Sequence, residues 1–347
     1  MCLVAEFTDV MRNFINLQKK VYETMRTFKY VLKRIGLMLM VFMVIMTICF
    51  VLVKLLPVAD GEGLLGIQAE IERARREALG YNKPILVQYG IYLKNIFTKW
   101  DWGTSWEIEY MKGVGEVISS KLAPTVLLNI YSILFSVPVG IALGIFAAIK
   151  KNKWQDHLIS FGVMVFISVP SYVYAFILQY FMGFKTGWFP VIIASLYEAG
   201  GTWFSSTMLH SMVLPVLALS FSTVASLARF TRAELTESLT SDYMLLARTK
   251  GLTRRQATVR HALKNAMVPI LPTIISLFIS IMSGAMIIEQ IFAVNGIGQL
   301  YLKSIFLRDY DVFMATSMFY TVIGLTGTII VDLSYGLLDP RIRIGEK

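Results

Sequence analysis

The sequence predicts an all-helical integral membrane protein with six transmembrane helices, and three observations carry that reading. Of the 347 residues, 56% are hydrophobic and 16% charged, a balance outside the usual range of soluble domains. Six charge-free runs are long enough to span a bilayer: Ile35 to Val53, Thr125 to Ile149, Leu158 to Phe184, Trp203 to Ala228, Asn265 to Ile288 and Val312 to Val331. The basic residues fall on one side of these runs. The N-terminus, 150–156, 229–264 and the tail from 339 hold 21 basic residues against nine acids, whereas the other connections hold 12 of each. The positive-inside rule makes the basic side cytoplasmic, with both termini inside. Topology thus accounts for the net charge of +10, and no nucleic acid need be invoked.

Residues 1–34 are expected to form a cytoplasmic amphipathic extension. Leu3, Phe7, Val10, Phe14, Leu17, Val21 and Phe28 recur in steps of three and four, opposite a charged face. Residues 35–57 form the first transmembrane helix. The preceding Lys29, Lys33 and Arg34 also suit a signal peptide, but no small-x-small cleavage site follows. Residues 58–121 read as a helical extracytoplasmic segment. Ile67, Ile71, Ala74 and Ala78 have helical spacing up to Gly80, and Pro84 opens a second helix with Tyr89, Tyr92, Leu93, Ile96 and Phe97 on one side. Trp100, Trp102 and Trp106 suit a membrane interface.

Residues 122–340 hold the other five helices, with a cytoplasmic loop at 229–264, and 341–347 form a cytoplasmic tail. Gly140 and Gly144, four apart, allow close helix approach. Pro138, Pro170 and Pro215 lie inside spans, where freed carbonyls need a neighbour or a wet cavity. Cys2 and Cys49 form no CxxC pair, and His157, His210 and His261 have no metal-ligand spacing. There is no GxxxxGK[ST] loop to hold a nucleotide phosphate, so no cofactor is assigned to this chain.

One polar island stands between two apolar runs, Ser241 to Pro269. Arg248, Lys250, Arg254, Arg255, Arg260 and Lys264 make it basic, and Asp242 is its single acid. Tyr243 to Lys250 has good helix formers. Gly251 supplies a left-handed stop, and Thr253 with Gln256 can form a capping box for a second helix. A positively charged loop that only sets topology has this composition too. Helix, glycine turn, basic helix is also the outline of a DNA-binding helix-turn-helix, but membrane spans at both ends argue against it.

The residues of the island carry a specific resemblance. Tyr243, Ala247-Arg248-Thr249-Lys250-Gly251-Leu252, Arg260-His261-Ala262-Leu263-Lys264-Asn265-Ala266 and Pro269 are similar to the EAA loop of ATP-binding cassette importer permeases, in its peptide/nickel form. Leu245-Leu246-Ala247 stands where the general importer pattern has Glu-Ala-Ala, a departure the peptide-type subfamily shares. Further landmarks resemble the B-type subunit of oligopeptide and dipeptide permeases. They are Leu79-Gly80, Lys83-Pro84, Gln88-Tyr89, Asp101 to Ser105, Pro124-Thr125, Glu289 to Gly298, Arg308-Asp309-Tyr310 and Asp339-Pro340-Arg341. A run of motifs in order is stronger than any one.

The resemblance implies a type I importer permease fold in a bacterial-type inner membrane. It implies a C-type permease partner, two ATPase subunits that bind ATP and Mg, and an extracytoplasmic solute-binding protein. The expected ATPase-coupling residues are Tyr243, Leu245, Leu246, Ala247, Arg248, Lys250, Gly251, Arg254, His261 and Asn265. The substrate class is oligopeptides or dipeptides; nickel, glutathione or another small solute is the alternative. An embedded enzyme would need a catalytic constellation, and Glu289 and Asp332 are the only acids near spans. A scaffold would leave the island unexplained. No residue of the substrate path is assigned.

Overall fold

A computed structural model describes residues 29, 31–55, 66, 67, 70, 71, 74, 77 and 83–338. Residues 1–28 of the amphipathic extension expected over 1–34, the Gly80 end of the first extracytoplasmic helix and the Asp339-Pro340-Arg341 landmark lie outside the described residues.

The first apolar run forms α1, Val31–Leu55. Pro84 precedes α2, Ile85–Lys99, with fixed φ and no helical N–H to lose. Tyr89, Tyr92, Leu93 and Ile96 of α2 pack on Met46, Phe50 and Val53 of α1. The Tyr89 hydroxyl meets Thr47 Oγ1 at 2.7 Å. Phe97, expected on the same face, is 64% exposed instead, because the packed face of α2 is narrower than the apolar pattern suggests. A two-residue antiparallel pair, β1 (Thr104–Ser105) and β2 (Lys112–Gly113), is a small exception to the all-helical expectation.

The centre of the fold is α3, Val114–Ile149, crossed against α6, Ser206–Leu239. The glycine spacing of α3 works as expected. A Cβ on Gly140 would meet Leu227 Cβ at 2.8 Å, and one on Gly144 would meet the Ala228 carbonyl at 2.7 Å. The backbones therefore approach to a distance that only glycine permits.

The third apolar run is not one straight helix. α4, Trp154–Ser168, and α5, Ser171–Leu178, are separated at Pro170. The chain then winds as a π-helix over Gln179–Lys185, and the two halves meet at 101°. Proline explains the break, since it lacks an N–H and forces the preceding residue toward extended backbone; Val169 has ψ 128.

The remaining helices are α7 (Asp242–Thr249), α8 (Arg254–Ala257), α9 (Leu263–Gly284), α10 (Met286–Ile291), α11 (Ile297–Phe306) and α12 (Tyr310–Leu338). Among the described residues, α1, α3, α6 and α12 are long and apolar enough to cross a membrane, and the bent pair makes a fifth such span. The run expected to continue to Ile288 falls on the 22-residue α9, which stops at Gly284. Asp332 of α12 pairs with Arg34 of α1 at 2.8 Å, tying the last span to the first.

Candidate functional site

The island folds as its sequence implies, and the geometry separates a seated face from an open one. Ser241 precedes α7 in extended backbone. Gly251 adopts φ +88 and ends the helix in a Schellman motif. Its N–H donates to the Arg248 carbonyl at 3.0 Å, and the Leu252 N–H to the Ala247 carbonyl at 3.3 Å. Thr253 and Gln256 form a reciprocal capping box at the start of α8. A π-helical turn, Thr258–Ala262, then leads into α9.

Met244 and Ala247 point inward. They pack with Ala257, Ala262 and Ala266 against Leu235 of α6 and Ala148 of α3. So many alanines let the short helices lie close to the two central spans. Hydroxyls lock the junction. Ser238 Oγ donates to the Ala262 carbonyl at 2.8 Å and meets the Tyr243 hydroxyl, and Ser241 Oγ donates to the Ser238 carbonyl at 2.6 Å.

Leu245 and Leu246 point the other way, 66% and 56% exposed. Arg248, Lys250, Gly251, Arg254, His261 and Asn265 are exposed as well. Of the ten residues expected to couple, Ala247 is buried, so it seats α7 and does not line the open face. Tyr243 divides its roles: its ring is partly exposed and its hydroxyl is held by Ser238. The island offers two large apolar side chains in a basic surround. Among the described residues no group of His, Cys, Asp or Glu could hold a metal ion.

Three polar centres escaped the sequence reading. Asp309, 2% exposed, accepts through one oxygen from Ser105 Oγ (2.7 Å) and from the N–H groups of Trp106, Glu107 and Ile108 at 3.0, 3.1 and 3.2 Å. Glu289 is fully buried and accepts from Thr125 Oγ1 at 2.8 Å and the Gln299 N–H at 2.9 Å, while Thr125 Oγ1 accepts the Ile297 N–H at 2.8 Å. Asp156 takes a two-pronged grip from Arg232 at 2.5 and 2.7 Å and accepts the Asn152 N–H at 2.9 Å. For Glu289, an acid at the end of a long apolar run was the available signal, since such a group has to be paired. These centres join landmarks remote in sequence: Asp101 to Ser105 meets Arg308-Asp309-Tyr310, and Pro124-Thr125 meets Glu289 to Gly298.

Known proteins match nearly the whole chain. The family model described as "Binding-protein-dependent transport system inner membrane component" matches residues 140–344, and the companion model for the N-terminal part of such components matches 27–110. A dipeptide transport system permease protein of Lactococcus lactis subsp. cremoris (strain MG1363) is 34% identical over 318 residues, covering 91% of this chain and 99% of the relative. One from Bacillus subtilis (strain 168) is 34% identical over 319 residues, covering 92% and 99%. A glutathione transport system permease protein of Salmonella paratyphi A (strain ATCC 9150 / SARB42) is 29% identical over 316 residues, covering 90% and 98%.

Proposed function

The chain belongs to the family of binding-protein-dependent transport system inner membrane components, and from that premise we propose that it is a permease subunit of an ATP-driven importer for oligopeptides or dipeptides. Two relatives named for dipeptide transport at 34% identity favour peptides. A glutathione permease relative at 29% supports a second reading, import of a small modified peptide by the same machinery.

The chain crosses a bacterial-type inner membrane six times with both termini in the cytoplasm. A C-type permease, two ATPase subunits and an extracytoplasmic solute-binding protein complete the machine. ATP and Mg sit on the ATPases. The charge asymmetry between the two sides supports the orientation, and the absence of a phosphate loop from the sequence supports placing ATP elsewhere.

The observation that carries the coupling role is the exposure of Leu245 and Leu246 on a helix whose other face is locked to α3 and α6. A helix seated in this way moves with the spans, so closure of an ATPase gripping its leucines is transmitted as rigid-body motion. Arg248, Lys250 and Arg254 orient the docking partner.

Changing both leucines to Asp tests the reading. Two carboxylates would enter an apolar groove of the ATPase at a cost on the order of several kcal/mol. Uptake of a labelled dipeptide by cells should stop while the amount of inserted chain stays the same. Undiminished uptake, or ATP turnover by the purified chain alone, would sink the proposal.

A further inference from the structure

A groove of about 300 Å³ runs between α4 and α6, and no part of the coupling island enters it. Its wall on α4 includes Ser160, Val163, Met164 and Ile167, spaced to lie on one helix face; α6 contributes Arg229 and Arg232. The two arginines differ. Arg232 is matched by Asp156, whose carboxylate it grips with two nitrogens. Arg229 lies one turn before it on α6 and is exposed, and among the described residues no carboxylate pairs with it. It is also the first charge after the apolar run from Trp203 to Ala228, so it sits at the depth of a lipid headgroup.

From Ser160 the groove continues along α4 to Ser168, a distance of roughly 12 Å at the helical rise. Between them Val163, Met164 and Ile167 make the wall apolar, and Met164 is 67% exposed. A matching occupant carries negative charge at the membrane surface and a hydrocarbon chain running inward. A free anion has no chain. A choline lipid brings its own cation next to an unmatched arginine. An anionic phospholipid has both features, and basic pockets between spans favour such headgroups.

We propose that this groove binds one anionic phospholipid, its phosphate on Arg229 and an acyl chain along Val163, Met164 and Ile167; the Ser160 hydroxyl donates to Asp156 at 3.4 Å and is not needed as a phosphate donor. The proposal rests on α4 and α6 lying in the membrane, as the permease reading has them, and on nothing about the transported substrate.

Native mass spectrometry of the full chain in neutral detergent tests it, with phosphatidylglycerol or phosphatidylcholine of equal chain length added. Wild type should retain one phosphatidylglycerol in preference to phosphatidylcholine, and Arg229→Gln should lose about tenfold in that preference, the range for a charged hydrogen bond. Arg229→Lys should keep most of it, and Val163→Trp should block both lipids by filling the groove. Equal retention by wild type and Arg229→Gln would overturn the site. Displacement by inorganic phosphate would make it a bare anion site, and a disulfide from Met164→Cys to another subunit would make it a protein interface; either result overturns the proposal. Loss of peptide uptake in the Leu245/Leu246 variant bears on the transport reading alone and leaves the lipid result unchanged.

Discussion

The knot around Asp309 and the island around Leu245 are built on opposite principles. In the knot, a buried carboxylate is satisfied four times over by groups of the same chain. On the island, two large apolar side chains are exposed on a helix that packs through its other face. Buried polar groups that are fully matched hold a structure in one arrangement. Exposed apolar groups on a rigid mount have yet to find their burial, and burial of a leucine is worth about 1.5–3 kcal/mol. The first region is complete within this chain, and in the proposed function the second is completed by another.

The variants that separate the two regions should differ in what they damage. The largest effect on stability is expected from Asp309→Ala. It leaves three backbone N–H groups and the Ser105 hydroxyl without their acceptor, a loss on the order of 3 kcal/mol or more. Thermal unfolding in detergent, followed by tryptophan fluorescence, should shift down by many degrees. An unchanged transition would mean that water satisfies these donors and the knot is ornamental.

Thr125→Val should cost less, roughly 1–3 kcal/mol, since shape is kept while Glu289 loses a donor and Ile297 an acceptor. The same unfolding assay measures it, and a shift larger than that of Asp309→Ala would reverse the ranking of the two polar centres.

Gly251→Val belongs to the island and should behave differently. A Cβ there meets nothing within 4 Å, so the penalty is the positive φ alone, about 1–2 kcal/mol for an L residue. Global unfolding should shift by no more than this, less than for Asp309→Ala, whereas peptide uptake should fall. Equal damage to both would show that the island is part of the fold's foundation.

The smallest effect concerns Glu109, beside the Asp309 knot. Hydrogen bonds from Lys112 (2.8 Å) and Lys121 (3.0 Å) hold its carboxyl below the ordinary value of 4.5. A depressed folded value stabilises the chain fully above the unfolded value and loses that stabilisation as pH falls through the folded one. Lys112 is half exposed while Glu109 and Lys121 are mostly covered, and with solvent screening of the open partner the contribution is about 0.5 kcal/mol. The melting difference between wild type and Glu109→Gln should be present at pH 7 and vanish in acid; a difference that persists in acid would point to packing instead of charge.

Much of this molecule was legible in its residues. Long uncharged runs have no stable home in water, so composition alone named a membrane protein, and among the described residues four of its apolar runs fall on helices long enough to span and a fifth on a bent pair. Gly251 and the Thr253–Gln256 pair announced a stop and a start because their chemistry is local, a few residues along the chain. Gly140 and Gly144 announced a close crossing, though not that α6 would fill it. What the tertiary structure alone decided was every pairing between distant segments. Pro170 signalled a kink, but the 101° turn depends on what packs around the two halves. Ala247 and Leu246 are adjacent in one motif, and only the seating of α7 on Leu235 and Ala148 buries the first and exposes the second. Asp309 reads as one acid among many until Ser105 is brought to it from 204 positions away. Local preferences are written in neighbouring residues, whereas the partner of a buried charge is set by which chain segments pack together, and that follows from the whole fold at once.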